Sequence, residues 1–472
     1  MERIRTDVCI IGAGAGGLAV AAGAVQMGAR VVLLEGGRMG GDCLNHGCVP
    51  SKALLAAAKQ AHAMGAGAPF GVAPAVPRVD YAAAMEHVAR VIGTIAPHDS
   101  QERFEGMGVR VIREYGRFVS RREVRAGDAV IAARRFVIAT GSSPLVPPIP
   151  GLEDVPFLTS ETLFELRERP GHLLIIGAGA IGLEMAQAHR RLGSRVTVIE
   201  GAAALGRDDP ELAAVVLKRL REEGVEIVER APAAAVRGTS GAIEVETAGG
   251  RTFRGSHLLV AVGRRANIDR LGLGAAGIEA GRTITVDAGL RTTNRRVYAI
   301  GDVAGALQFT HVAGYHAGVI IRSMLFALPS KVRTDHIPRV TYTDPELAQA
   351  GLTEAEALRE YGEEMLEVVR FPYAGNDRAI AGGQSEGLIK VMVFRGRPVG
   401  ASIVGAQAGE LIGLWALALA NRMKMSQIAA MVAPYPTLGE LGKRAAGAYF
   451  SPRLFDSAGV KRVVRLVQKF LP

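Results

Sequence analysis

"TDVCIIGAGAGGLAVAAGAVQMGARVVLLE", residues 6–35, decides the fold of this chain. The apolar run from Val8 to Ile11 reads as a strand covered on both faces, as in a parallel sheet. Gly12, Gly14 and Gly17 follow in G-x-G-x-x-G spacing, then an alanine-rich helix, then the strand "RVVLLE" ending on Glu35. The first glycine makes the tight turn and the second lets the backbone approach a pyrophosphate. The third lets helix and strand pack closely. Glu35, eighteen residues past Gly17, is placed to bind ribose hydroxyls, which completes a dinucleotide-binding fingerprint.

The unit recurs. "HLLIIGAGAIGLEMAQAHRRLGSRVTVIE", residues 172–200, carries Gly177, Gly179 and Gly182, with Glu200 closing its second strand. Two nucleotides are therefore expected. A 2′-phosphate beside Glu200 would meet charge repulsion, whereas a free 2′-hydroxyl would be hydrogen-bonded. NADH is the expected partner of the second unit. Arg207 lies close enough in sequence to leave NADPH possible.

The 472 residues suggest about three domains. Glycine, at 59 residues, favours many tight strand-to-helix turns, with no collagen-like period or low-complexity tract. The net charge is +10. The charges are scattered and no nucleic-acid-binding motif appears, so anionic cofactors are the expected partners and nucleic acid is not. The start, "MERIRTDVCIIGAG", runs straight into a strand without the apolar segment and cleavage site of a signal peptide. The apolar stretch "LIGLWALALA" falls short of the ~20 residues that span a bilayer. Three cysteines cannot make a secreted disulfide framework. A cytoplasmic protein is expected.

Two of those cysteines lie in "GGDCLNHGCVPSK", residues 40–52. With His46 they make three ligands, one short of a closed zinc site, and no metal site is expected. "PSKALLAAAKQAHAM" reads as a helix beginning near Pro50 and Ser51, with proline at its first position and a capping hydroxyl. In a regular helix, residues five apart rise about 7.5 Å, beyond the usual ~4.4–6.8 Å between bridged Cα atoms. The chain at Cys43 must therefore fold back, which Gly40, Gly41, Asn45 and Gly47 permit. Cys48 then sits at a helix N-terminus, where a thiolate is favoured, with Cys43 further out. Cys9, within "VCII", reads as a core thiol.

"GGDCLNHGCVPSK" after a first dinucleotide unit resembles the class I pyridine nucleotide–disulfide oxidoreductases, which include dihydrolipoamide dehydrogenase, glutathione reductase and mercuric reductase. "FVIATGSSP" (136–144), "AVGRRAN" (261–267), "VYAIGDV" (297–303) and "IPRVTYTDPELAQAGLTEAEA" (337–357) extend the resemblance over nearly the whole chain. It implies an α/β fold with two Rossmann-like domains, for FAD and NAD(P), and a C-terminal α+β dimerisation domain. The implied segments are 1–150 and 271–335 for FAD, 151–270 for NAD(P), and 336–472 for dimerisation. FAD would be held by Gly12, Gly14, Gly17, Glu35, Gly116, Thr140, Gly141, Asp302 and Thr310, and the second nucleotide by Gly177, Gly179, Gly182, Glu200 and Gly263. Lys52 would lie by the flavin ring and pair with Glu184. Electrons would pass from NADH through FAD to a Cys43–Cys48 disulfide. Cys48 would keep the thiolate, and Cys43 would attack a small-molecule, lipoyl-type or protein disulfide. The resemblance implies a homodimer.

The sequence departs from the family's pattern at "APYPTLGE", residues 433–440. Disulfide reductases place a His-Pro pair there as acid/base across the dimer; here Tyr435 stands for the histidine, with Glu440 as the expected acid. A tyrosine, with its pKa near ~10, donates a proton but is no poised base near neutral pH. A tyrosine here resembles mercuric reductase, yet no cysteine follows Cys48, so Hg(II) turnover is not expected. His311 and His316, in "FTHVAGYHAG", are substitute base candidates, expected instead on a helix packed against flavin or core. Two other readings stand beside disulfide reduction: a quinone or dye diaphorase, and a redox sensor within a larger complex. The tail "KRVVRLVQKFLP" is a basic amphipathic helix, expected to pack on the dimerisation domain, with peripheral membrane contact as the second reading.

Overall fold

The computed structural model describes residues 1–305 and 307–471; Pro472, last residue of the expected dimerisation segment, lies outside the described residues. The opening strand spans Glu2–Ile11. It runs parallel to Val31–Leu34 on one side and Ala129–Ile138 on the other, with Ile11 level with Leu34 and Ile138. Arg110–Ile112 and Val297–Ala299 extend this parallel sheet, and the antiparallel strands Glu123–Ala126 and Arg117–Ser120 finish one edge, seven strands in all. Val31 to Leu34 are all buried, the mark of a sheet with both faces covered.

Glycine fixes how closely one cover packs. A Cβ on Gly23 of the helix Ala15–Gln26 would come within 2.6 Å of Ile321 Cδ1, on the helix Thr310–Leu325. The small residue lets the two helices approach more closely than side chains would allow.

The second unit builds a four-stranded parallel sheet, Glu226–Val228, Arg195–Ile199, His172–Ile176 and His257–Val260 in spatial order. A three-stranded antiparallel sheet, Ala233–Thr239, Ala242–Thr247 and Thr252–Gly255, is inserted before the last of these strands. The two motif segments 136–144 and 261–267 meet: Arg264–Ala266 pairs antiparallel with Ser142–Pro144, making a two-stranded ribbon.

Beyond residue 337 the chain forms a five-stranded antiparallel sheet, ordered Arg339–Thr341, Glu346–Gly351, Arg397–Gly405, Leu388–Phe394, Leu366–Pro372. The helices Ala408–Ala420 and Glu440–Phe455 close a core around the fully buried Trp415. Charged groups lock this layer to the second unit. Lys390, its side chain 2% exposed, reaches Asp209 at 2.8 Å, Glu354 at 2.7 Å and Glu211 at 2.6 Å. Arg191 bonds Glu223 at 2.6 Å and Asp344 at 3.0 Å. Both buried cations are matched by carboxylates, the condition under which burial of charge is tolerated. The helix Ala180–Arg191, which ends at Arg191, is thereby held against the C-terminal layer.

Two sequence expectations are corrected. The cysteine helix starts at Cys48, not near Pro50. Proline is tolerated throughout the first turn because those N–H groups have no intrahelical partner. Ser51 does not cap; its hydroxyl donates back to the Gly47 carbonyl at 2.7 Å. The tail helix, Ala458–Phe470, does not pack on the protomer's own C-terminal layer, and none of its residues is buried. Tyr449 is the last buried residue of the preceding helix, Phe450 packs partly on the same core, and Pro452 to Asp456 are already exposed.

Candidate functional site

Both glycine turns impose the same backbone demands. Gly12 and Gly177 each have φ +107°, and a Cβ would meet the carbonyl oxygen of Ala139 at 2.4 Å or of Ala261 at 2.5 Å. A Cβ on Gly17 or Gly182 would lie 1.9 Å or 2.0 Å from the oxygen of Gly12 or Gly177. The strand-end acids repeat the match. Glu35 accepts from the Ala13 and Gly37 N–H groups, both at 2.7 Å. Glu200 accepts from Ala178 at 2.7 Å and Ala202 at 2.8 Å.

The first turn opens onto a cleft of about 1000 Å³ that runs from Gly12, Gly14 and Glu35 to Cys43, Cys48 and Lys52. Gly116, Thr140, Gly141, Asp302, Thr310 and Glu184 also line it. A Cβ on Gly41 would stand 2.7 Å from the Gly14 Cα, so the cysteine loop lies directly on the first turn. Gly17, Gly177, Gly179, Gly182, Glu200 and Gly263 are outside this lining; Ala180, Ile181 and Glu184, on the second unit's helix, reach into it.

The cleft suits a dinucleotide bearing a polyol chain. Its volume is at the upper end of small-molecule sites. Asp302 receives the Ser142 hydroxyl, and burial raises its pKa. Arg264 Nε donates to Ser142 Oγ at 2.7 Å and its Nη2 lies 3.1 Å from Asp42 Oδ2. Asp42 Oδ1 is buried without a hydrogen-bond partner among the described residues. A carboxylate oxygen only accepts, so it fits a hydroxyl-bearing group.

Cys43 sits in the short helix Gly41–Asn45 and Cys48 at the first position of the next. Both are free thiols in side-chain contact. Cys48 is the more exposed, contrary to the expectation that Cys43 lies further out, because the short helix turns back on the cysteine helix. Cys48 Sγ lies 3.3 Å from Thr310 Oγ1. The hydrogen bond from the Cys43 thiol, that from Thr310, and the Lys52 charge together outweigh burial and bring Cys48 down to about 6. Cys43, which gives that hydrogen bond and is itself partly buried, is pushed up and keeps its proton. Burial alone pushes Cys9 up, away from any reactive role.

Lys52 Nζ lies 2.9 Å from Glu184 Oε2 and 4.2 Å from the Tyr342 ring centre. Glu184, 4% exposed, uses its other oxygen to accept the Tyr342 N–H at 2.9 Å. Tyr342, Arg264, Ser142 and Asp42 were not singled out from sequence. All four lie inside the quoted motifs, Asp42 in "GGDCLNHGCVPSK", Ser142 in "FVIATGSSP", Arg264 in "AVGRRAN" and Tyr342 in "IPRVTYTDPELAQAGLTEAEA", the one signal that could have found them.

Tyr435 and Glu440 do not line this protomer's cleft and do not pair with each other. The Tyr435 hydroxyl donates to Asp377 Oδ2 at 3.1 Å, and that carboxylate raises its pKa. Glu440 has one buried oxygen without a partner among the described residues. His316 is buried, with Nδ1 accepting the Gly301 N–H at 3.2 Å, and burial lowers its pKa. His311 lines the cleft, its Nε2 on the Pro338 carbonyl at 2.8 Å.

Residues 6–317 match the family profile described as pyridine nucleotide-disulphide oxidoreductase, and residues 337–446 match that family's dimerisation domain, which supports a homodimer. The mercuric reductase of Streptomyces lividans is 35% identical over 462 residues, covering 94% of this chain and 96% of its own. The dihydrolipoyl dehydrogenase of Geobacillus stearothermophilus is 33% identical over 455 residues, with the same two coverages. Among solved structures, the HOCl-induced flavoprotein disulfide reductase RclA from Escherichia coli superposes with a TM-score of 0.83 at 28% identity, over 93% of this chain and 99% of that one. Among the described residues no helix is long and apolar enough to cross a membrane. The chain thus belongs to the pyridine nucleotide–disulfide oxidoreductases, enzymes that use FAD and NAD(P)H and act on sulfur groups.

Proposed function

We propose that this enzyme takes its electrons from NADH and delivers them through Cys48 and Cys43 to a thiol-exchangeable acceptor, in the cytoplasm. The observation that carries the reading is the placement of the two sulfurs at the Lys52–Glu184 end of the cleft. Cys48 stands at the first position of its helix, 3.3 Å from Thr310 Oγ1, and Cys43 on the short helix before it, surroundings that lower the Cys48 pKa and raise that of Cys43. FAD, when bound, supplies the two-electron carrier between nicotinamide and disulfide. Gly12, Gly14 and Glu35 would hold its adenosine and pyrophosphate, and Asp302, Asp42 and Thr310 its remainder.

The chain's own part is thiol exchange. With the Cys43–Cys48 disulfide reduced, Cys43 gives its proton to solvent and the resulting thiolate attacks one acceptor sulfur. A mixed disulfide forms and the first product thiolate leaves. Cys48 then attacks Cys43, re-forms the intramolecular bond and releases the second product thiolate. Lys52 holds positive charge beside the Cys48 thiolate, and Glu184 fixes Lys52. Tyr435 and Glu440 would act on the partner's site, Tyr435 giving a proton to the leaving thiolate. For the second nucleotide, Glu200 at the strand end favours a free 2′-hydroxyl; Arg207, further along the sequence, is exposed.

The Tyr435 arrangement favours a second reading. Its pKa is raised by Asp377, so it cannot take the proton that Cys43 must lose. An enzyme without that base suits direct transfer to quinones or dyes. NADH oxidation against a panel of disulfides, quinones and Hg(II), in wild type and Cys43→Ser, separates the two. Turnover of a disulfide that disappears in Cys43→Ser supports exchange, with a rate that climbs with pH as Cys43 deprotonates. Quinone turnover alone, undiminished in the variant, establishes the diaphorase and removes the thiol pathway.

A further inference from the structure

The helix Ala458–Phe470 lies beyond the matched dimerisation domain, which ends at residue 446. Ser457 caps it, its hydroxyl accepting the Val460 N–H at 3.3 Å, so it is a separate helix and not a frayed extension. At 100° per residue, Val460, Val463, Val464, Val467 and Phe470 fall on one side. Lys461, Arg462, Arg465 and Lys469 fall on the other, and the segment holds no Asp or Glu. Phe470 is 72% exposed and Val463 59%. An apolar face of this width left in water is unfavourable, and among the described residues nothing in the protomer covers it.

We propose that this helix docks the enzyme on an anionic lipid bilayer, lying in the interface with its valine face among the acyl chains and its four cations at the headgroups. Charge complementarity selects this occupant. A cationic helix without a single acid matches a phosphatidylglycerol-type surface, and the combination of basic and apolar faces is the design of an interfacial anchor. The chain's net charge of +10 adds long-range attraction to the same surface. The Asp456–Ser457 junction leaves the redox cleft and the C-terminal core untouched by docking.

The test uses full-length flavin-loaded enzyme and sedimentation with vesicles of phosphatidylcholine alone or with about one-third phosphatidylglycerol. Pelleting is expected with the anionic vesicles only and is weakened by salt. Lys461→Gln with Arg465→Gln should weaken it about thirtyfold, the factor that ~1 kcal/mol per surface cation gives for two. Val463→Asp with Val467→Asp should abolish it, while NADH oxidation and dimer mass stay at wild-type values. Failure to pellet at low salt overturns the proposal. So does equal pelleting by either double variant or on pure phosphatidylcholine. Conversion of the Val463→Asp, Val467→Asp protein to monomer would assign the face to a second copy of the chain. Binding to a DNA duplex that is lost in the charge variant but kept in the apolar variant would assign it to nucleic acid.

Discussion

The two glycine turns are built alike to within 0.1 Å in their closest contacts, 1.9 and 2.0 Å at the third glycine, yet they serve the cleft differently. The first contributes its own backbone: Gly12, Gly14, Glu35 and the Gly41 loop all line the cavity. The second contributes a side-chain face, Ala180, Ile181 and Glu184, while its glycines and Glu200 lie outside. Identical local geometry fixes where a phosphate can approach. The segment packed on each turn decides whether the turn itself lines the cleft or only its helix reaches the edge. On the first lies a glycine-rich loop with the cysteines; the second opens a helix tied to the C-terminal layer through Arg191.

Gly17→Ala and Gly182→Ala put this comparison under the greatest strain. Each forces a methyl onto a carbonyl oxygen, so strand and helix must part. Gly17→Ala should purify without the flavin absorption band in the visible and be inactive with every acceptor. Gly182→Ala should remain yellow and dithionite-reducible while its NADH-driven rate falls at least about a hundredfold, the penalty of a misplaced bound reactant. Equal flavin loss in both would erase the distinction, provided circular dichroism shows both folded.

A smaller effect is expected at the Lys52–Glu184 bond that joins the units. Glu184→Gln keeps an acceptor for the Tyr342 N–H but gives up the charge that fixes Lys52. It should lower the NADH-driven rate by about ten- to a hundredfold, as loss of a charged hydrogen bond of ~1.5–3 kcal/mol does, with flavin content unchanged. Stopped-flow reduction measures it. A wild-type rate would mean that the pair merely staples two domains.

Legibility in the sequence follows the range of the interaction. Gly12, Gly17, Gly177 and Gly182 are readable because only glycine meets these backbone contacts, and Glu35 and Glu200 because a strand end fixes their place. Lys52 and Glu184, 132 residues apart, come together in the sequence only through family resemblance. Thr310 enters the expected cofactor set for the same reason, and its contact with Cys48 across 262 residues has no local signature. Ser142, Arg264 and Tyr342 act through pairings between distant segments that no periodicity encodes. Two local rules mislead. Proline reads as the helix's first residue although the first turn tolerates it anywhere, and an amphipathic tail reads as packing on the dimerisation domain although in this protomer it stands clear. Tyr435 is legible as a departure, but its bond to Asp377 is not.

Selectivity for the nicotinamide cofactor offers a finer contrast between the strand-end acids. On the proposed reading, Glu200→Ala removes the carboxylate that would repel a 2′-phosphate and accept from a 2′-hydroxyl. The ratio of kcat/KM for NADH over NADPH should fall by about ten- to a hundredfold. The matching Glu35→Ala should leave that ratio alone and loosen flavin. An unchanged ratio in Glu200→Ala would place nucleotide choice elsewhere, with Arg207 the first residue to change.

The smallest expected effect lies at Cys48, where the two units' influences meet. Its thiolate is stabilised by Cys43 and Thr310, from elements beside the first turn, and by Lys52, which Glu184 of the second unit holds. In the reduced enzyme the ultraviolet thiolate band should appear with a midpoint at about pH 6, well below the ordinary thiol range near ~8.5. Because the folded pKa is depressed, the ionised form favours the native state. That stabilisation is complete above the unfolded thiol's pKa and is lost as pH falls through about 6. Thr310→Val keeps the shape and removes the hydroxyl, so the midpoint should rise by up to about one unit, the worth of a single hydrogen bond. Glu184→Gln, which gives up both a carboxylate and the bond that fixes Lys52, should move it by less. A midpoint indifferent to Thr310 but sensitive to Glu184 would reverse the order of causes, and the second unit rather than the first would set the reactivity of the sulfur.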